Sequence, residues 1–280
     1  MTIGAWLTAG WVMAWVWMNW EAAIPIATNA SLMRAQTEPR FTAVVHHFPG
    51  SLKFQDRSDD QDQEDKPKPK IPRPVKTYMG RRIAETMHFA GAEWLIRNER
   101  EREERCSLML ANLGIKPGQT VCDMGCGNGF YSLQIAEMMG DKGTVVGVDV
   151  QPEMLALLRK RMESEGVENI IPILGSYHHP RLPPGMIDLC LMVDVYHEFS
   201  HPEPMLAEIR KSLKPDGQIV LVEYRAEDKN VPIKPLHKMS KKQINREMKA
   251  NGFKLNSEFE HLPWQHMMFF GIDTEWKKNE

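Results

Sequence analysis

Val121-Cys122-Asp123-Met124-Gly125-Cys126-Gly127-Asn128-Gly129-Phe130 reads as a strand that runs into a glycine-rich turn and out into a helix. Glycines at such a turn let the backbone approach a ligand closely. The spacing separates the kinds of ligand. A dinucleotide loop needs Gly-x-Gly-x-x-Gly, and counting from Gly125 places Phe130 where the third glycine would stand. No Lys-Ser/Thr pair closes the loop, so it is not a phosphate-cradling P-loop. Asp123, just ahead of the turn, would repel a pyrophosphate and attract a cationic amine. Asp149 ends the next strand, where a carboxylate accepts hydrogen bonds from both ribose hydroxyls. The pair calls for a nucleoside that carries positive charge.

Outward from this loop, strand-like and helix-like runs alternate. Strands are expected over 120–124, 144–150, 169–174, 187–195 and 218–224, and helices over 130–139, 152–165, 203–213 and 240–250. Pro152 at the first helical position and Gly166 just past the end bracket the second helix. This alternation predicts an α/β fold, a doubly wound, mostly parallel sheet with helices on both faces. Pro172 places the third strand at a sheet edge. Segments 254–262 and 264–272 meet at Pro263 with no room for a crossover helix, so they pair antiparallel. Ahead of the core, 92–112 reads as one charged helix with Trp94, Leu95, Leu108, Met109 and Leu113 as its apolar contacts.

The span from about Lys116 to Gly271 resembles the class I S-adenosylmethionine-dependent methyltransferases. The resemblance rests on Asp123-x-Gly125-x-Gly127-x-Gly129, Val148-Asp149, Leu213-Lys214-Pro215-Asp216-Gly217 and the terminal hairpin. It implies a seven-stranded sheet of order 3-2-1-4-5-7-6 and S-adenosyl-L-methionine as cofactor. Asp123 and the Gly125, Cys126, Gly127 and Asn128 backbone would face its methionine part, with Asp194 alongside, and Asp149 would hold the ribose. Ser176, in Gly175-Ser176-Tyr177-His178-His179, stands where the family often has an aspartate for the adenine amine.

After the fourth strand comes Tyr196-His197-Glu198-Phe199-Ser200-His201-Pro202. Positions 197–201 spell His-Glu-x-x-His, a zinc-peptidase pattern that needs both imidazoles on one continuous helix. Pro202 disfavours helical geometry at His201, and a strand leads straight into the motif, so no metal centre is expected here. The segment is similar to the His-acidic-aromatic loop of small-molecule O-methyltransferases, which implies His197 as general base and Glu198 as a second candidate. The Asn-Pro-Pro-aromatic motif of base N-methyltransferases is absent. A small-molecule substrate is therefore expected, and a nucleic acid is not; a non-catalytic cofactor-binding protein at a membrane is the alternative.

Composition sets the outer limits. In 280 residues, 42% hydrophobic and 26% charged is a globular balance, and a net charge of -2 leaves no basic footprint for nucleic acid. Four cysteines with no Cys-x-x-Cys pair make neither a disulfide framework nor a zinc ribbon. Residues 1–33 carry a single charge, Glu21, and residues 3–20 would span ~27 Å as a helix, about one hydrocarbon core. A cleaved signal peptide, an uncleaved anchor and a start at Met33 all fit this stretch. Residues 34–76 read as a disordered charged and Pro-rich linker, and 77–280 as the methyltransferase domain. Arg34 and Arg40 favour a cytosolic domain tethered through residues 3–20. Fractionation with N-terminal sequencing tests this: the expected result is a membrane-bound chain with its domain protected inside. A soluble mature protein starting at Ser31 outside the membrane would overturn it.

Overall fold

In a computed structural model that describes residues 71–277, the chain enters through a short hairpin of β1 (Thr77–Tyr78) and β2 (Arg81–Arg82). A 3-10 segment, Phe89–Ile96, leads to two short helices, α1 (Arg100–Glu104) and α2 (Cys106–Ala111). Alternation then sets in with β3 (Thr120–Met124), α3 (Phe130–Met139), β4 (Thr144–Asp149), α4 (Pro152–Glu165) and β5 (Ile170–Leu174). It continues through β6 (Ile187–Val193), α5 (Pro202–Ser212) and β7 (Leu213–Arg225). The chain closes with β8 (Lys238–Met239), α6 (Lys241–Ala250) and the hairpin of β9 (Phe253–Phe259) and β10 (Gln265–Ile272).

The main sheet runs β5-β4-β3-β6-β7-β10-β9, parallel except for β10 against β7 and β9. Its first five strands in chain order plus the hairpin reproduce the 3-2-1-4-5-7-6 order. An eighth, two-residue strand was not expected: β8 pairs in parallel with Tyr224 and Arg225, past the last β6 pair at Val193 and Val222. Near-continuous apolar runs in the central strands match burial on both faces. Val121, Leu189, Leu191, Val220 and Val222 pack beneath α2, α3 and α4. Their alternate neighbours Cys122, Cys190, Met192, Ile219 and Leu221 pack beneath α5 and α6. Pro172 lies in the edge strand β5, and Gly166 closes α4 in the left-handed conformation.

Two expectations fail. Residues 92–112 are not one helix: Arg105 takes φ 53°, ending α1 and starting α2 in a new direction. The break lets Arg100 and Glu104 turn inward and pair, both almost fully buried. Trp94, expected in the core, is 43% exposed with the Arg97 guanidinium stacked 3.8 Å from its ring. The other correction is in β7, which begins at Leu213 rather than at 218. Ile187 pairs with Leu213 and Leu189 with Gln218, so the Lys214–Gly217 turn is a bulge inside the strand. Residues 3–20, proposed as a tether, lie outside the described residues. Among those described, no helix is long and apolar enough to cross a membrane.

Gly129 has φ +83°, and a Cβ there would stand 2.3 Å from Leu158 Cδ1. Left-handed strain plus overpacking gives Gly129→Ala an expected cost of about 2–4 kcal/mol. Urea unfolding should show a lower midpoint with an unchanged slope. A wild-type midpoint would mean that Leu158 moves aside freely.

Candidate active site

The carboxyl ends of β3, β4 and β6 converge on the glycine turn. Gly125 and Cys126 N–H both donate to Val148 O, at 2.8 and 3.0 Å. Gly127 N–H donates to Asp149 Oδ2 at 2.9 Å and Gln151 N–H to Oδ1 at 2.8 Å. Each Asp149 oxygen thereby keeps a lone pair for a further donor. Asp123 is buried with Oδ2 accepting from Ser132 Oγ at 2.6 Å. Burial, with the Asp149 charge adding to it, pushes its carboxyl up to about 6. Asp194 takes φ 50° at the end of β6 and accepts from Gln265 Nε2 at 2.7 Å through Oδ2. Burial first, then Glu104 and Glu223, raises its carboxyl well above the usual range.

The glycines are required by neighbours on three elements. A Cβ at Gly125 would meet Val195 Cγ2 at 2.4 Å, and one at Gly127 would meet Leu95 Cδ1 at 2.7 Å. Leu95 belongs to a strap that crosses the strand ends. Within it Ala92 O accepts from Asn128 Nδ2, Phe89 N–H donates to Gln151 Oε1, and Met87 O accepts from Gln151 Nε2. Earlier on the same path, Val75 N–H reaches Ser200 O and Ala84 N–H reaches His197 O. The strap ends in a buried charge cluster, where Glu104 accepts from Arg97, Arg100 and Tyr224 Oη.

On the other side of the sheet end, the 3-10 turn Tyr196–Glu198 places His197 on β7. Its Nδ1 lies 2.7 Å from Glu223 Oε2, and its Nε2 lies 3.0 Å from Nδ1 of His237. His197 is 1% exposed, whereas the His237 side chain is one-third exposed. Burial would lower the His197 imidazole, but the Glu223 carboxylate outweighs it and holds it above its ordinary value. Burial and the His197 charge press His237 down to about 4. Glu198 Oε1 sits 3.9 Å from His197 Nε2 and accepts from Met87 N–H, and burial lifts its carboxyl to about 7.

Asp123, Asp149 and Asp194 thus lie around the glycine turn, and His197 and Glu198 stand together at the histidine pair. Ser176, in the loop after β5, donates its hydroxyl to His179 O at 3.2 Å, which leaves the oxygen's lone pairs as acceptors. His201 is separate from His197: its Nδ1 meets Ser200 Oγ and its Nε2 meets Pro72 O, both at 2.9 Å. The His-Glu-x-x-His spacing is therefore not assembled as one metal-binding face. The Arg81 guanidinium forks onto Glu247 and bonds His197 O. Glu223 and His237 complete the histidine group from 26 and 40 residues away.

S-adenosylmethionine fits these residues. Among the described buried side-chain atoms without a partner are Asn128 Oδ1 and Asp194 Oδ1, two acceptors beside a loop rich in carboxylates. A ligand that brings an ammonium, a sulfonium and two ribose hydroxyls supplies the donors and positive charge that Asp123, Asp149 and Asp194 lack.

Residues 115–274 match the model of a methyltransferase domain family. The chain is 28% identical over 115 residues to a ubiquinone/menaquinone biosynthesis C-methyltransferase of Cupriavidus taiwanensis, covering 41% of this chain and 47% of that one. It is 27% identical over 116 residues to an arsenite methyltransferase of Halobacterium salinarum, covering 41% and 30%. The chain thus spans less than half the length of these curated relatives. A SAM-dependent methyltransferase from Aquifex aeolicus shares the fold at TM-score 0.63 and 23% identity, over 66% of this chain and 98% of that one.

Cofactor binding should depend on pH through Asp123. With its carboxyl at about 6, a bound cation favours the ionised form, so affinity is full above that pH and falls below it. The expected loss approaches tenfold per pH unit on the acid side. Calorimetry with S-adenosylmethionine should show this slope in the wild type and a flatter one in Asp123→Asn. Asp149→Ala should weaken binding at all pH values by roughly 1.5–3 kcal/mol. Unchanged affinity in Asp149→Ala would remove the ribose role.

Proposed function

We propose, for a chain that belongs to the class I S-adenosylmethionine-dependent methyltransferase family, that the methyl acceptor is a hydroxyl of a small molecule. The Glu223–His197–His237 line takes the hydroxyl proton. When bound, the cofactor supplies a methyl group activated on a sulfonium. The protein's share is to orient the acceptor oxygen and to receive its proton.

The observation that carries this reading is the pair of short contacts on His197, 2.7 Å to Glu223 and 3.0 Å to His237. The carboxylate sets the tautomer, with Nδ1–H donating to Glu223. His197 Nε2 then accepts from His237 Nδ1–H, which leaves His237 Nε2 with its lone pair. The acceptor proton passes to His237 Nε2 while the Nδ1 proton of His237 moves to His197 Nε2. Positive charge ends on His197, against the Glu223 carboxylate. His237, the exposed member, is the group within reach of substrate. Glu198, the second candidate base, flanks both rings.

The domain is proposed to work in the cytosol, where its methyl donor is made. Removal of the base should slow chemistry and spare the cofactor. His197→Ala and His237→Ala are each expected to lose ~10²–10⁴-fold in turnover, the usual worth of general-base catalysis. Both should bind S-adenosylhomocysteine within about twofold of wild type. His201→Ala, whose ring bonds only Ser200 and Pro72, serves as control. Transfer of tritiated methyl into a cell extract, followed by mass analysis of the labelled product, measures rate and acceptor atom together. Full turnover in both His197→Ala and His237→Ala would defeat the relay, and a methyl found on carbon would defeat the hydroxyl assignment.

A further inference from the structure

We propose that His197, Glu198 and His237 form a binding site for a divalent transition-metal ion, of which zinc is the representative, and that the ion takes the place of the proton shared by the two rings. His197 Nε2, His237 Nδ1 and Glu198 Oε1 lie 3.0, 3.9 and 4.0 Å apart. A point equidistant from three atoms so spaced is about 2.1 Å from each, within the range of zinc–nitrogen and zinc–carboxylate bonds. Three such ligands around one point leave positions open for water or a further ligand, as in zinc sites that are not purely structural.

The surroundings are those of a metal-ligating histidine. His197 gives its other ring nitrogen to the buried carboxylate of Glu223 at 2.7 Å, which fixes the ring and leaves Nε2 as the ligating nitrogen. Met87 N–H bonds the ligating oxygen of Glu198 and holds that side chain in place. The ligands come from two separate turns, Tyr196–Glu198 and Pro235–His237, so neither needs the helical His-x-x-x-His spacing. Two imidazoles and one carboxylate favour zinc, copper, iron or nickel over magnesium or calcium. Partial exposure of His237 provides the way in. An ion here takes the His197 Nε2 lone pair and the His237 Nδ1 position through which the relay proton passes, so at any moment the site holds either a proton path or a metal.

The test uses the full-length chain, treated with EDTA and then titrated with zinc chloride by calorimetry or with cobalt(II) by visible absorption. The expected result is one ion per chain and an imidazole-type cobalt spectrum. His237→Ala and His197→Ala should each weaken zinc binding by at least ~100-fold, and Glu223→Gln by ~10–100-fold. His201→Ala should bind as wild type does. S-adenosylhomocysteine affinity, measured in parallel, shows that each variant is folded and is read independently of the metal. A wild-type chain that binds S-adenosylhomocysteine but no zinc would overturn the proposal. So would loss of zinc in His201→Ala with retention in His237→Ala, which would assign the ion to the His-Glu-x-x-His set.

Discussion

Three missing side chains, at Gly125, Gly127 and Gly129, hold this structure to its shape. Each of these glycines adopts positive φ, and each is overlain by an apolar side chain from a different element: Val195 after β6, Leu95 in the strap and Leu158 in α4. The glycine turn is therefore the point on which the fourth-strand turn, the N-terminal segment and a core helix close. A methyl group at any of the three would push apart parts far separated in sequence. Glycine's conformational freedom and its lack of volume are both used at once.

Charge is handled around that point by strict pairing. Glu104 is fully buried yet accepts from two arginines and a tyrosine, and Glu247 is fully buried yet accepts from Arg81 and Tyr196. Isolated carboxylates in such places would be costly, and breaking one pair is worse than never having it. These pairs tie residues 81–104 to α6 through Arg81 and to β7 through Glu104, so specific bonds position the strap at both ends. The carboxylates nearer the glycine turn are different. Asp123 and Asp194 are buried without a cationic side chain bonded to them, and their proton affinity is raised accordingly. Among the described residues, Glu104 and Glu247 are ion-paired, whereas Asp123 and Asp194 beside the turn bond only neutral side chains.

Much of this was legible in the sequence because it is local. The limits of α3 and α4 follow from apolar period, Pro152 and Gly166, all within a few residues of the features they determine. Pro172 marked the edge strand, and the Gly-x-Gly-x-Gly spacing with Asp123 and Asp149 marked the ligand. The segment 92–112 misled because its helical composition is real, while the need to bury Arg100 against Glu104 and Tyr224 is tertiary and leaves no periodic trace. His197 was recognisable by its neighbours in sequence. His237 was not, since its part depends on β8 extending the sheet beside the end of β7, a pairing of two residues that no pattern announces.

Consecutive residues of β7 face opposite ways, and here both matter: Glu223 turns to His197 while Tyr224 turns to Glu104. One strand end thus serves the histidine pair on one side and the arginine cluster on the other. A single-residue deletion upstream in β7 would set the Tyr224 phenol against the imidazole, and a single-residue insertion would set the Glu223 carboxylate against Glu104. A shift of two keeps the facing but still removes Glu223 and Tyr224 from their places, so the site tolerates length changes only where the 214–217 bulge absorbs them. The bulge is thus the place where natural variation in length can accumulate without disturbing the chemistry, and homologues that differ in this strand should differ there.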